Sequence, residues 1–402
     1  MKSISVGTIA FVSNTSWSIY NFRAGLIKKL LAERIPILII APPDEYSTKL
    51  EDMGCIFEPV KLEQYGTNPL KDLHFCLQLS RIFQKYTIHF LITYTIKPNI
   101  FANLVARWHQ VPSIAVITGL GHLFTIPSWK TLLVKQLYRF AFQKVAQTWF
   151  LNKEDMHFFI RKRIVKTKQA QYLPSEGIDT NYFKKVLHLK TSATSPPFTF
   201  LFAGRLMDEK GIREYVQAAR LLKAKYPEVR FEILGFIEPH FPYAVTQEEL
   251  LTWQQEGIIQ YLGTTDTIET YLNRVNCVIL PTYYREGVPR ILLEAASLEI
   301  PMIATDNVGC KDIVRHDYNG FLCNKKDVID LAYWMEKMLQ LSEKKRKVMG
   351  ANGRLVAHCY FREELVIERY LSVLQHYMNL NPSTSYEQHN VAEKLIPWYY
   401  QL

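Results

Sequence analysis

The sequence is poor in the features that mark specialised protein classes. Six cysteines occur in 402 residues (Cys55, Cys76, Cys277, Cys310, Cys323 and Cys359), with no C-x-x-C pair and no regular spacing. That excludes a disulfide-stapled framework and leaves a zinc or redox motif unsupported, so free buried thiols in a reducing compartment are expected. No apolar run approaches the roughly 18–20 residues of a membrane span; the longest, such as Ile37–Ala41, are strand-sized. Lys2 and the apolar residues after it loosely imitate a signal peptide. The stretch turns polar at Ser13-Asn14-Thr15-Ser16 and offers no small-residue cleavage pattern. It reads as the first buried strand of a cytoplasmic protein.

What is present is ordinary globular composition, 48% hydrophobic and 21% charged, which argues against a disordered chain or a collagen-like repeat. The length predicts two domains, each able to bury its own core.

The formal net charge of +10 is unevenly spread. Residues 1–190 hold 25 Lys and Arg against 12 Asp and Glu. Much of the excess lies between Lys130 and Lys168, where Lys130, Lys135, Arg139, Lys144, Lys153, Arg161, Lys162, Arg163, Lys166 and Lys168 face only Glu154 and Asp155. Trp129, Leu132, Leu133, Leu137, Tyr138, Phe140, Phe142 and Trp149 are interleaved with them. A solvated helix face and an anionic membrane surface both fit this pattern. Nucleic acid is not expected as a partner, because no recognised binding motif accompanies the charge.

Continuous apolar runs alternate with longer helical patterns, the signature of doubly wound parallel sheets. In the first half the strand-like runs are Ile4–Val12, Pro36–Ala41, His89–Thr93 and Ser113–Val116, with a helix from Asn21 to Ala32. The polar stretch Thr191–Pro197 breaks the pattern and is the best linker candidate. The alternation then restarts with Phe198–Ala203, Val229–Leu234, Cys277–Leu280 and Pro301–Ala304. Two Rossmann-like domains are therefore expected, at 1–190 and 191–379, followed by an irregular tail at 380–402 that could pack back on the first domain. In open α/β sheets ligands bind at the C-terminal ends of strands, so the chemistry is sought in the loops after these runs.

Two such loops stand out. Ala203-Gly204-Arg205-Leu206-Met207-Asp208-Glu209-Lys210-Gly211 carries a glycine and two cations into a helix, an arrangement suited to an anion and equally open to ordinary surface charges. Tyr283-Tyr284-Arg285-Glu286-Gly287-Val288-Pro289-Arg290-Ile291-Leu292-Leu293-Glu294 follows the buried strand at Cys277–Leu280. Pro289 sits where a first helical residue would be, so the amides around Gly287 and Val288 should point outward as an anion cradle. Glu286, a carboxylate pressed against that cradle, suggests sugar hydroxyls rather than phosphate. Glu286 and Glu294 need not share a helix face, and as a lone pair they could equally be surface charges.

Together the two loops resemble the retaining glycosyltransferases of family 4, which have the two-domain GT-B fold. Glu286-x7-Glu294 is similar to that family's E-x7-E motif, and Gly204-Arg205-x4-Lys210-Gly211 to its phosphate-binding G-R-x4-K-G. Leu234-Gly235, Gly263, Ala304-Thr305-Asp306-x2-Gly309-Cys310-x-Asp312-Ile313-Val314 and Asn319-Gly320-Phe321-Leu322 fit the same pattern. Tyr94-Thr95-Ile96-Lys97-Pro98-Asn99, Gly119-Leu120-Gly121 and Gly177-Ile178-Asp179-x2-Tyr182-Phe183 resemble the subgroup that builds bacterial surface polysaccharides.

The resemblance implies an enzyme that moves a sugar from a nucleotide-sugar, a UDP-sugar by preference, to a lipid-linked or polysaccharide acceptor. Arg205 and Lys210 would neutralise the donor diphosphate, Glu294 would bind the ribose, and Glu286 the donor sugar. Gly287, Val288 and Pro289 would line the site by backbone, and the base would lie near Gly235 and Gly263. No D-x-D occurs, which matches a reaction needing neither metal nor other cofactor. His122 could fill the role of the histidine that relatives place near the donor sugar. The usual glycine-rich loop after the first strand is absent here, leaving Asn14, Asn21 and Arg23 as acceptor candidates. The implied location is the cytoplasmic face of the membrane, bound peripherally through the basic first half. Two rival readings are another chemistry on the same fold, such as nucleotide-sugar epimerisation, and a non-catalytic basic binding protein.

Overall fold

The computed structural model describes residues 7–63, 66, 68–119, 129–185, 196–238 and 243–378. His122 and the 380–402 tail lie outside them.

The fully apolar runs form the central strands, because a parallel strand covered by helices on both faces has no polar side to show. In the first domain these are β1 (Thr8–Val12), β2 (Ile37–Ala41), β3 (Ile56–Pro59), β4 (Ile88–Tyr94), β5 (Ser113–Ile117), β6 (Gln147–Phe150) and β7 (Ala170–Tyr172). They pair in parallel in the order β3-β2-β1-β4-β5-β6-β7. The intervening helices are α1 (Ser16–Ala32), α2 (Tyr46–Asp52), α3 (Pro69–Lys85), α4 (Ile96–Trp108), α5 (Trp129–Ala141) and α6 (Lys153–Arg161). Helix α1 starts five residues before its sequence-based bound because Thr15, in extended conformation, accepts a hydrogen bond from the Ser18 amide. Asn68 caps α3 in the same way, with Pro69 in the first turn.

The second domain repeats the design with β8 (Thr199–Ala203), β9 (Arg230–Leu234), β10 (Gln260–Tyr261), β11 (Cys277–Leu280), β12 (Met302–Thr305) and β13 (Gly320–Cys323), ordered β10-β9-β8-β11-β12-β13. Its helices are α7 (Ile212–Lys225), α8 (Gln247–Gln255), α9 (Ile268–Leu272), α10 (Arg290–Ser297), α11 (Cys310–Ile313), α12 (Val328–Gln340) and α13 (Glu343–Tyr360). Strand order reverses at β1/β4 in one sheet and at β8/β11 in the other. Each reversal opens a crevice at the strands' C-terminal ends. The cysteines are free thiols, four of them buried.

The division of the chain differs from the sequence-based one at both joints. Ile178 and Phe183 already belong to the core of the second domain, so the chain crosses before residue 190. It returns at α14 (Glu363–Met378), whose Val366, Tyr370, Val373 and Leu374 are buried in the core of the first domain. Tyr370 lies against Trp149 with ring centroids 4.4 Å apart, and its hydroxyl is 3.0 Å from that of Tyr94. The two crossings run side by side. The Ile178 amide donates to the Phe361 carbonyl at 2.8 Å, and the Glu363 amide donates to the Ile178 carbonyl at 3.0 Å.

Candidate active site

The second crevice is assembled from three loops locked together by backbone. The Gly204 amide donates to the Leu234 carbonyl at 3.0 Å, and the Gly235 amide to the Gly263 carbonyl at 2.8 Å. Gly235 has φ +151°, and a β-carbon there would fall 1.8 Å from the Gly204 carbonyl oxygen, so no side chain fits. Gly204, Gly235 and Gly263 thus bring the ends of β8, β9 and β10 to one place.

The cationic loop is fastened across the strand-order reversal. The Glu209 carbonyl accepts from the amides of Tyr283 and Tyr284 at 2.9 and 3.1 Å and from the Thr282 hydroxyl at 2.9 Å. This carries Lys210 to Glu286, 76 residues further along the chain. Its ammonium donates to both carboxylate oxygens, at 2.5 and 2.7 Å. Lys210 is buried, 8% exposed, and the Tyr284 ring lies 5.8 Å from its ammonium and 6.0 Å from the Arg205 guanidinium. The two cations therefore converge on one aromatic side chain, and Lys210 joins them to Glu286.

Beyond Glu286, α10 begins one residue later than its sequence pattern placed it. Pro289 occupies the cap position with φ −62°, and its carbonyl accepts from the amides of Leu292 and Leu293. Gly287 and Val288 lead into it. Glu294 is buried on this helix, and Arg290 donates to it at 3.0 Å from one turn earlier. Burial pushes the Glu294 carboxyl above its usual range, and Arg290 opposes that. Among the described residues no group of three or more His, Cys, Asp or Glu side chains is placed to hold a metal ion.

The acceptor candidates separate. Asn14 lies half-buried after β1, and Asn21 on α1 donates to the Trp17 carbonyl at 3.0 Å. Arg23 is turned inward. Its guanidinium sits 3.8 Å over the Tyr94 ring, 2.6 Å from Glu176, and donates to the Ser18 carbonyl at 2.8 Å. It is committed to the joint between the domains instead of facing the crevice. A buried, always-charged guanidinium is stable only with such partners.

Contacts that the sequence did not reveal join the two domains. Arg285, next to Glu286, donates to Asp155 of α6 at 2.9 Å. At the other end of the interface, Tyr46 and Lys49 of α2 donate to Asp266 at 2.5 and 3.1 Å. Asn152 caps α6 through the Asp155 amide, a local role that says nothing of Arg285.

Residues 184–356 match the family described as Glycosyl transferases group 1. The chain is 28% identical over 378 residues to the N,N'-diacetylbacillosaminyl-diphospho-undecaprenol alpha-1,3-N-acetylgalactosaminyltransferase of Campylobacter jejuni, covering 91% of this chain and 97% of that protein. It is 24% identical over 275 residues to the Escherichia coli UDP-Gal:alpha-D-GlcNAc-diphosphoundecaprenol alpha-1,3-galactosyltransferase, covering 64% and 68%. Anabaena Alr3699/HepE in complex with UDP superposes with a TM-score of 0.73 at 16% identity, over 92% of this chain and 100% of that one. The fold is the GT-B architecture of glycosyltransferases. The second domain is similar to the group 1 glycosyl transferases, and nearly the whole chain to the first of the transferases named above.

Proposed function

We propose that the protein transfers a sugar from a UDP-sugar to a lipid-diphosphate-linked acceptor during cell-surface glycan assembly, with retention at the anomeric carbon and without a metal ion. The observation that carries this reading is the convergence of Arg205, Lys210 and Glu286 at the β8/β11 reversal. The leaving group is a diphosphate whose charge grows as the glycosidic bond breaks. Preplaced cations stabilise that charge most where water is excluded, and Lys210 is buried. A bound diphosphate would share Lys210 with Glu286, freeing carboxylate lone pairs for the hydroxyls of the sugar. Glu294, aimed by Arg290, would accept from the ribose. With the acceptor on the face the phosphate leaves, the departing phosphate oxygen takes the acceptor's proton. Neither E-x7-E carboxylate is then needed as a base.

The UDP preference rests on the names of the galactosyltransferase relative and of the HepE complex. The lipid-linked acceptor rests on the names of both relatives. Membrane docking is part of the proposal. Helices α3, α4 and α5 pack in series on one face of the first sheet. Their outer surface exposes Leu70, Leu73, Leu77, Trp108, Leu132, Leu133 and Phe140, with Trp108 87% exposed. Lys71, Arg81, Arg107, Lys135 and Arg139 lie on the same three helices. Exposed apolar side chains and cations on the same helices suit an anionic lipid surface, each cation adding up to ~1 kcal/mol. No helix among the described residues is long and apolar enough to cross a membrane.

The test is a thermal-shift panel of UDP, GDP, ADP and CMP and their common sugars in EDTA, on wild type and Arg205→Ala. A ligand at about 100 times its dissociation constant adds roughly 2.7 kcal/mol of apparent stability. UDP and one UDP-sugar are expected to stabilise the wild type and not the variant. A folded protein that none of them shifts would sink the reading. Conversion of the donor sugar without any acceptor would indicate epimerisation instead.

A further inference from the structure

The Arg285-Glu286-Gly287 segment belongs to the second domain by sequence, yet it is clasped from both sides. From the second domain, the Asn307 side-chain amide donates to the Tyr284 carbonyl at 2.9 Å, and a β-carbon on Gly309 would lie 2.2 Å from the Gly287 carbonyl oxygen. From the first domain, a β-carbon on Gly287 would lie 2.6 Å from that of Leu151 at the end of β6, and one on Gly119 would lie 3.4 Å from the Arg285 carbonyl oxygen. Lys210 holds Glu286 from within the second domain, and the charged contact from the first domain is Arg285 with Asp155, its guanidinium also 3.4 Å from Glu154. Asp155 has no exposed surface. It is fixed before Arg285 arrives, because its amide donates to the Asn152 side chain at 2.7 Å and its second carboxylate oxygen accepts from Asn152 at 2.8 Å. Arg285 is half-exposed. A rigid buried carboxylate on one domain thus grips the mobile end of a long side chain on the other.

We infer that Asp155, contributed by the first domain, is a positioning residue for Glu286: by holding Arg285 it fixes the 285–287 backbone and so sets where the sugar-binding carboxylate reaches. The inference rests on the reading of Glu286 given above. It divides the donor between the domains. Arg205 and Lys210 ride on a loop fastened within the second domain, and Arg290, which aims Glu294, rests against Phe22 and Gly177 and not against Asp155, so nucleotide binding is expected to be independent of Asp155. The sugar end of the site is complete only when the first domain is seated.

The experiment compares Arg285→Gln, Asp155→Asn and the double variant with wild type, all with UDP present. Amide hydrogen exchange is expected to quicken at 284–288 in each variant and to stay unchanged at 204–211. The UDP dissociation constant should hold within about twofold, while transfer from UDP-N-acetylgalactosamine or UDP-galactose to a polyprenyl-diphosphate-linked sugar falls on the order of 10- to 100-fold in kcat, the scale of an ångström-level misplacement. The double variant should lose no more than the worse single one, and Arg285→Lys should recover part of the rate. Unchanged exchange at 284–288 in Arg285→Gln, whose side chain is half-exposed and whose loss leaves the folded core intact, would overturn the inference, as would losses that multiply in the double variant. A parallel Glu286→Gln variant separates the two readings. If it transfers at the wild-type rate, the role of Glu286 and the inference fall together. If it is inactive while Arg285→Gln is normal, only the inference falls.

Discussion

The β1/β4 and β8/β11 reversals occupy equivalent places in two sheets of the same design, and the chain furnishes them in opposite ways. After β8 the backbone itself makes the site: three glycine loops close on one another, and a buried Lys210–Glu286 pair is held between them. After β1 there is no glycine until Gly25, the loop ends in a Thr15 helix cap, and the nearest cation, Arg23, is folded inward. Among the groups that the first domain does present are the apolar side chains on the outer face of α3–α5. Under the function proposed above, a donor whose diphosphate is constant suits a site built by backbone, and an acceptor that varies suits one built from exchangeable side chains.

That contrast can be broken most sharply at Lys210 and Glu286. Lys210→Gln and Glu286→Gln should each lower kcat by on the order of 10²–10³-fold, the usual cost of removing a preplaced charge, read as initial transfer rates at saturating donor. Losses confined to KM would mean that the pair only binds. Next in size is Arg205→Ala, which should abolish the UDP thermal shift while leaving the unliganded melting temperature within a few degrees. A retained shift would move the diphosphate elsewhere. On the other domain, Leu70, Leu73 and Leu77 changed together to Asp should release the protein from vesicles containing acidic lipid while leaving its UDP affinity unaltered. Sedimentation with and without 0.5 M-scale salt reads this, and a salt-insensitive absence of binding by the wild type would end the docking proposal.

The smallest effect lies away from both crevices. Glu249 caps α8, bonding the Thr246 amide at 2.9 Å, and is paired with Arg213, which holds its carboxyl down at about 2 from an ordinary 4.5. A depressed carboxyl stabilises the fold above its unfolded value and loses that contribution as pH falls. Melting temperature should therefore drop between pH 4.5 and about 2 by more in the wild type than in Glu249→Gln. Activity at neutral pH should not distinguish the two.

The strands most legible in the sequence were those with both faces covered: β2, β4, β5, β8, β9, β11 and β12 all stand within two residues of their apolar runs. The edge strands β3, β7 and β10 were not, since half-exposed pairs of two to four residues carry no pattern of their own. The grouping of Gly204, Arg205, Lys210 and Glu286 was legible because it is made of glycines and charges at fixed short spacings. Arg23 was misread because its partner Glu176 is 153 residues away, and Asp155 was missed because Arg285 is 130 away. Nothing local records either pairing. The place of α14 was hidden for the same reason: its amphipathic face fits any core, and only the return crossing says which.

That return crossing has a consequence for the order in which the protein is made. The second domain is inserted, in chain order, between the body of the first and the helix that finishes it. As the polypeptide emerges from its N-terminus, the first sheet stands without Tyr370 against Trp149 and Tyr94 until more than 190 further residues have followed β7. The domain begun first is thus completed last, after the second domain has its whole sequence available to fold. A chain cut short after α13 would carry a complete second domain, with its Lys210–Glu286 pair, on an unfinished partner.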